Sequence, residues 1–229
     1  MNKLIILNHK MNLEYDEVFN YIDRINQIDT SYNLIVCPSN IYLVDFLNHC
    51  TWGVGAQNVS KYCLGEYTGE VSTLQLKSLG IEYSMIGHYE RKKYFHETDE
   101  DIHEKLISCL DSNIMPILCF GESGKKDDIE KSLDVLLDGI ENIDFIIFAY
   151  EPLKIKNKES IEDIKDMVEY IYDYLYNKYH SRPNIVYGGG TTQKDMSLIL
   201  DIDKLNGLLI GKVSSDITKI EKIIGNEKK

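Results

Sequence analysis

The chain has 229 residues, 43% of them hydrophobic, which is enough to bury one substantial core and does not require a second domain. Its 37 acidic residues outnumber 25 Lys and Arg, and the formal net charge of -12 disfavours nucleic acid as a partner. No apolar run approaches the roughly 20 residues of a membrane span, and the first ten residues lack a signal-peptide pattern, so we expect a cytoplasmic protein with no membrane partner.

Eight short apolar runs follow one another along the chain, each too short to be a free-standing helix. In chain order they are residues 4–7, 34–37, 53–56, 83–86, 117–120, 145–149, 185–187 and 208–210. Between them, apolar residues return every three or four positions, which predicts helices at residues 15–28, 99–110, 126–140 and 161–179. This α/β alternation favours a closed (β/α)8 barrel as a single domain over residues 1–229. A doubly wound open sheet is the alternative that the alternation leaves open.

In an α/β barrel the reactive side chains follow the carboxyl ends of the strands. Six of the eight runs are followed by polar residues or glycines, so a lysine, an imidazole and a carboxylate are expected to meet on one face of the barrel. The residues are Asn8, His9 and Lys10; Gln57 and Asn58; Gly87, His88, Tyr89, Glu90 and Arg91; Glu151; Gly188, Gly189 and Gly190; Gly211 and Lys212.

Three of these residues suit catalysis. Glu151 precedes Pro152, and the extended backbone required before proline fixes the carboxylate on one side, as suits a general base. Lys10 ends an apolar strand, where burial is costly unless the ammonium is paired or faces a ligand. If His88 begins a helical turn, the N–H groups of that turn favour a neutral ring that can polarise a carbonyl. Each residue taken alone also fits a structural role. Glu151 could cap a helix, Lys10 could form a salt bridge at the barrel rim, and His88 could form a structural hydrogen bond.

Two glycine-rich turns follow the last two runs, Gly188-Gly189-Gly190 and Gly211-Lys212. Glycines let backbone N–H groups approach a phosphate, and barrels usually bind phosphate at these loops. The alternative is that these glycines only allow the positive φ angles of tight turns. That explanation would account for one glycine-rich turn more easily than for two. Lys212 adds local positive charge, so we predict a phosphate site.

A base, a neutral electrophile, a lysine and a phosphate site together describe proton transfer in a hydroxy-carbonyl phosphate through an enediolate. This chemistry needs no cofactor. The other histidines have no metal-ligand spacing, and the five cysteines are odd in number and form no CxxC pair, so we expect neither a metal site nor a disulfide framework.

Seven ordered segments resemble the triosephosphate isomerase family along nearly the whole chain. The family strings N-W-K-M-N, G-A-Q-N, G-A-Y-T-G-E, I-G-H-S-E-R-R, C-I-G-E, A-Y-E-P and Y-G-G-S correspond to residues 8–12 (NHKMN), 55–58 (GAQN), 65–70 (GEYTGE), 86–91 (IGHYER), 119–122 (CFGE), 149–152 (AYEP) and 187–190 (YGGG).

The resemblance implies a TIM barrel, a cytoplasmic enzyme of glycolysis and gluconeogenesis, and a small phosphorylated sugar as substrate. It implies Asn8 and Lys10 as oxyanion and substrate ligands, His88 as the electrophile and Glu151 as the base. Glu90 and Cys119 are implied to lie behind these groups. It also implies a homodimer, in which the loop carrying Thr68 reaches into the other subunit.

The sequence departs from the family near the substrate. Residues 153–160 (LKIKNKES) replace the family's phosphate-gripping lid, V-W-A-I-G-T-G-K-T, and contain no glycine. Tyr89 and Gly190 each replace a serine, and Gly211-Lys212 replaces a glycine pair. The default substrates are glyceraldehyde 3-phosphate and dihydroxyacetone phosphate. The alternatives are an isomerase of another small sugar phosphate, such as a tetrulose phosphate, and a barrel that binds a phosphorylated ligand with little turnover.

Overall fold

The fold is a closed barrel of eight parallel strands, seen in a computed structural model that describes residues 2–153, 159–190 and 193–225. Each strand pairs in parallel with the next along the chain, and β8 closes the barrel on β1. The predicted (β/α)8 barrel is therefore confirmed, and the open sheet is excluded. The strands are β1 Leu4–Asn8, β2 Asn33–Cys37, β3 Gly53–Ala56, β4 Tyr83–Ile86, β5 Met115–Phe120, β6 Ile147–Tyr150, β7 Asn184–Tyr187 and β8 Gly207–Ile210.

The sixth strand begins two residues later than the predicted run at 145–149. Phe145 instead lies in a turn, which is closed by a hydrogen bond from the N–H of Ile146 to the carbonyl of Ile143 (3.0 Å). The Phe145 ring is exposed, so its apolar character does not mark a strand position.

The described part of the chain has nine α-helices and a short 3₁₀ turn at Asn40–Tyr42. The prediction for α7 was correct at both ends, whereas α6 ends four residues before the predicted 140, because the chain turns through Gly139 with a φ of 68°. The helices are α1 Tyr15–Asn26, α2 Leu43–His49, α3 Thr73–Leu79, α4 Tyr89–Phe95, α5 Asp99–Asp111, α6 Lys126–Leu136, α7 Ile161–Tyr179, α8 Gln193–Leu200 and α9 Ile217–Ile224.

The core has two layers, because both faces of the strands are buried. Along β1, Ile6 packs inside the barrel while Ile5 and Leu7 pack outward against the helices. This double burial explains why the strands read as continuous apolar runs rather than as alternating patterns. In the described ranges, no helix is both long and apolar enough to span a bilayer.

Candidate active site

Lys10 lies just beyond the end of β1 with an unusual backbone conformation. Its φ of 56° is in the left-handed region that residues other than glycine seldom adopt. Three hydrogen bonds hold it there: its N–H donates to Oδ1 of Asn8 (3.0 Å), and its carbonyl accepts from Oγ of Ser39 (2.9 Å) and Nε2 of Gln57 (2.8 Å). The surrounding structure therefore fixes a strained backbone, as is common at functional sites.

The ammonium of Lys10 forms an ion pair with Glu90, at 2.6 Å from Nζ to Oε1. The second carboxylate oxygen of Glu90 lies 3.8 Å from Nδ1 of His88. Glu90 is thus paired with the lysine after β1 and lies next to the histidine after β4. Gly211, after β8, leaves room for the lysine, since a β-carbon there would lie 2.9 Å from Cε of Lys10.

His88 is the N-cap residue of α4, and the backbone N–H of Glu90 donates to its Nδ1 at 3.2 Å. A nitrogen that accepts this bond carries no proton, so the proton of the neutral ring lies on Nε2. Nε2 is 3.4 Å from Oε1 of Glu151. The start of α4 therefore orients the imidazole so that a neutral N–H donor faces the carboxylate.

Glu151 follows β6 and is only 2% exposed. Burial raises the pKa of its carboxyl, while His88, the thiol of Cys119 and Lys10 lower it in that order of importance; the net direction is upward. Its Oε2 accepts no hydrogen bond from the described residues. A poorly solvated carboxylate with a raised pKa is a stronger base than an exposed one.

Cys119, on β5, lies beneath the carboxylate. Its thiol donates to the carbonyl of Ile117 at 3.9 Å, and burial, followed by the charge of Glu151, raises the pKa of Cys119 well above its ordinary value. The sulfur therefore stays protonated as a donor. Cys119 is close enough to Glu151 to lower the pKa of that carboxyl.

The two glycine turns lie beside these groups. Gly188 donates its N–H to the carbonyl of Tyr150 (2.7 Å), and its missing side chain makes space, because a β-carbon would lie 2.7 Å from Cγ of Glu151. At Gly190, a β-carbon would meet no atom of the described residues within 4 Å. Lys212 follows Gly211 and is exposed.

The altered lid falls partly outside the described residues. Of residues 153–160, the structure describes Leu153, Glu159 and Ser160, while residues 154–158 lie outside it. Within the described residues, no group of three or more His, Cys, Asp or Glu is arranged to hold a metal ion.

Gln57 was selected from the sequence because it follows a strand, but it was given no role, and Ser39 was not selected. Both hold the backbone of Lys10. His9, which replaces the family tryptophan, packs edge-on against Tyr21 and Phe46, with ring centroids 4.5 and 5.5 Å away. Burial lowers its pKa to about 3, so it is a neutral core residue.

The chain is similar to one family over nearly its full length. The sequence model of the family described as triosephosphate isomerase matches residues 3–227. The triosephosphate isomerase of Francisella tularensis subsp. mediasiatica is 32% identical over all of this chain and 98% of that protein. The triosephosphate isomerase of Aquifex aeolicus is 31% identical over 98% of this chain and 99% of that protein.

Proposed function

Because the chain belongs to the triosephosphate isomerase family, we propose that it interconverts glyceraldehyde 3-phosphate and dihydroxyacetone phosphate, with Glu151, His88 and Lys10 as catalytic residues. It is thus an aldose-ketose isomerase, an intramolecular oxidoreductase of glycolysis and gluconeogenesis. The observation that carries the proposal is the buried carboxylate of Glu151, 3.4 Å from Nε2 of a histidine whose Nδ1 is already occupied.

Glu151 removes the proton from the carbon next to the carbonyl and returns it to the neighbouring carbon. Burial favours this step, because a carboxylate with a raised pKa is better matched to proton transfer near neutral pH. His88 donates from Nε2 to the oxygens of the enediolate as a neutral acid, the role that a neutral histidine has in this family. No group outside the chain is needed to accept the proton.

Lys10 and Asn8 bind the negative charge that develops on the substrate. The ammonium supplies a cation inside an acidic protein with a net charge of -12, and Glu90 holds it at the barrel mouth. Preorganised donors of this kind typically lower a barrier by about 3 kcal/mol each. The strained backbone at Lys10 is consistent with this use.

The phosphate binds at the two glycine turns through Gly189, Gly190, Gly211 and Lys212. Gly188 belongs to the same turn and contributes space for Glu151, since its own N–H already donates to Tyr150. Backbone N–H groups and one exposed lysine suit a phosphate dianion.

We also propose a homodimer formed through the loops that follow β1 to β4. These loops together expose several large apolar side chains, among them Met11 (95% exposed) and Leu64 (74% exposed), as surfaces that bind another protein do. Tyr62 and Tyr67 stack at 3.9 Å and stiffen the loop that carries Thr68. A cavity of about 570 Å³ extends from the active site towards these loops and could receive that loop from another subunit; Lys10, His88, Met11, Tyr94 and Phe95 are among its lining residues.

We assign the enzyme to the cytoplasm, where glycolytic enzymes act. All five cysteines are free thiols, which suits a reducing compartment.

The experiment that tests the activity is a coupled assay of purified protein on a panel of sugar phosphates. We expect robust turnover of glyceraldehyde 3-phosphate and dihydroxyacetone phosphate. If the protein turned over only tetrulose phosphates, the proposed substrate would be wrong, but the proposed proton-transfer chemistry would stand. Binding of the panel without any isomerisation would replace the proposal with a binding function.

A further inference from the structure

Glu159 connects the ends of two neighbouring strands through its carboxylate. The hydroxyl of Tyr150 donates to Oε1 at 3.0 Å, and the hydroxyl of Tyr187 donates to Oε2 at 2.9 Å. The two tyrosines are the last residues of β6 and β7, and their buried rings lie 6.0 Å apart. We call these three residues the tyrosine–carboxylate bridge.

The bridge adjoins both the proposed base and the proposed phosphate turn. Tyr150 immediately precedes Glu151, and Tyr187 immediately precedes Gly188. The hydroxyl of Tyr187 also lies against Gly189, where a β-carbon would overlap it. A shift of either phenol would therefore move groups that contact the substrate.

The chemical state of the bridge suits strong hydrogen bonds. Burial raises the pKa of both tyrosines well above its ordinary range, so both phenols remain donors. Burial also raises the pKa of Glu159, while its bonds to Tyr187 and Tyr150 lower it. A carboxylate that accepts two phenol hydrogens forms charge-assisted bonds, which are stronger than neutral ones.

The backbone of Glu159 is anchored on its carboxyl side. The next residue, Ser160, is the N-cap of α7, and its Oγ accepts the N–H of Asp163 at 3.1 Å while the Asp163 side chain accepts the N–H of Ser160 at 3.0 Å. The bridge is therefore attached to the start of a 19-residue helix. The two strand ends are held against a rigid element rather than only against each other.

We propose that Glu159 is a positioning residue for the isomerisation: through Tyr150 and Tyr187 it fixes the distance between the base on β6 and the glycine turn on β7. The inference rests on the proposed function, because it concerns the same substrate site. A misplacement of about 1 Å in such a site costs about a hundredfold in rate, so the loss of both bonds has a measurable effect.

The test compares Glu159→Leu, which removes both acceptors at similar size, with Glu159→Gln, whose amide keeps one acceptor and offers one donor. We expect Glu159→Leu to lower kcat by about tenfold or more, and Glu159→Gln to stay within about threefold of the unchanged chain. The matched control is Glu162→Leu, which makes the same charge change three residues later at an exposed position. It should leave kcat and KM unchanged.

A double-mutant cycle separates positioning from general stabilisation. If Glu159 acts through the tyrosines, Glu159→Leu should have little further effect on kcat in a Tyr150→Phe/Tyr187→Phe background. Unchanged kcat and KM in Glu159→Leu would overturn the inference. An equal fractional loss of kcat in both backgrounds would do the same.

Binding of glycerol 3-phosphate, measured by calorimetry, keeps this inference separable from the proposed activity. If the unchanged chain did not isomerise triose phosphates, the proposed function would fail. The positioning inference would then be tested by the affinity for glycerol 3-phosphate. Glu159→Leu should weaken this affinity by about tenfold, and Glu162→Leu should not change it. Equal affinity in both variants would overturn it.

Discussion

The side chain of Glu151 occupies the space that a side chain at position 188 would need: a β-carbon on Gly188 would lie 2.7 Å from Cγ of the glutamate. Gly188 also donates its N–H to the strand before that glutamate, so it cannot move away without loss of a 2.7 Å hydrogen bond. The position of the proposed base, Glu151, thus requires that the residue after β7, Gly188, has no side chain.

Gly188→Ala should therefore impair catalysis more than folding. The added methyl displaces the Glu151 carboxylate from its place facing His88, and we expect kcat to fall by about a hundredfold. Steady-state kinetics on glyceraldehyde 3-phosphate measure the loss, with thermal unfolding as the control for folding. Gly190→Ala is the comparison, because its added carbon meets no atom within 4 Å of the described residues; there we expect KM to change more than kcat. Full activity in Gly188→Ala would contradict the packing account.

The raised pKa of Glu151 predicts how stability depends on pH. The folded state binds this proton more tightly than the unfolded state does, so stability falls as pH rises through the window between the ordinary pKa and the raised pKa. Above that window the ionised carboxylate is a net cost to the fold. Glu151→Gln should therefore have a higher Tm than the unchanged chain at pH 8, and the difference should shrink in acid.

Thermal unfolding at a series of pH values measures this difference at fixed protein concentration, since assembly also affects Tm. A surface substitution of the same type, Glu162→Gln, should show no such pH-dependent gain. A lower Tm for Glu151→Gln at pH 8 would mean that the carboxylate stabilises the fold.

A buried ion pair behind α4 should matter more than a surface pair. Lys105 is almost fully buried, and its Nζ lies 2.6 Å from Oε1 of Glu97 and 2.8 Å from Oδ1 of Asn58. Lys105→Met leaves the Glu97 side chain, which is 9% exposed, with Arg91 as its one ion-pair partner among the described residues, and should cost about 3 kcal/mol of unfolding free energy.

The matched surface variant is Lys204→Met, which removes a 2.6 Å pair with the exposed Asp173 and should cost less than about 1 kcal/mol. Urea denaturation of both variants provides the comparison. Equal losses would mean that burial does not control the strength of these pairs.

The proposed dimer predicts that one charge on the loop before Thr68 weakens assembly. Leu64→Asp places a carboxylate where we propose an apolar interface, and it should shift the protein towards monomer in sedimentation velocity. Leu198→Asp, an equally drastic change at an exposed leucine of α8, should leave assembly unchanged. A monomeric unchanged chain would refute the homodimer.

The closed barrel could be predicted from the sequence because each strand is buried on both faces and leaves a distinct apolar run. The prediction was less accurate where exposure and apolar character diverge, as at Phe145. Helices α2, α3, α4, α8 and α9 were not predicted, because seven or eight residues make about two turns, which is too short for a periodic pattern to stand out.

The positions of Lys10, His88 and Glu151 could be located from the sequence, because catalytic groups in barrels follow strand ends. Their contacts could not, since they join residues far apart in the chain. The pair formed by Lys10 and Glu90 spans 80 positions, and the bond between Tyr187 and Glu159 spans 28. Such contacts depend on how the barrel closes, and no local pattern encodes them.

The most direct test of the proposed mechanism is the turnover number of Glu151→Gln, measured beside its affinity for glycerol 3-phosphate. A general base contributes about 10² to 10⁴ in rate, so we predict that kcat on glyceraldehyde 3-phosphate falls by about a thousandfold while the affinity stays within about threefold. If Glu151→Gln kept more than about a tenth of the original kcat, Glu151 would not be the base and the mechanism proposed here would be wrong.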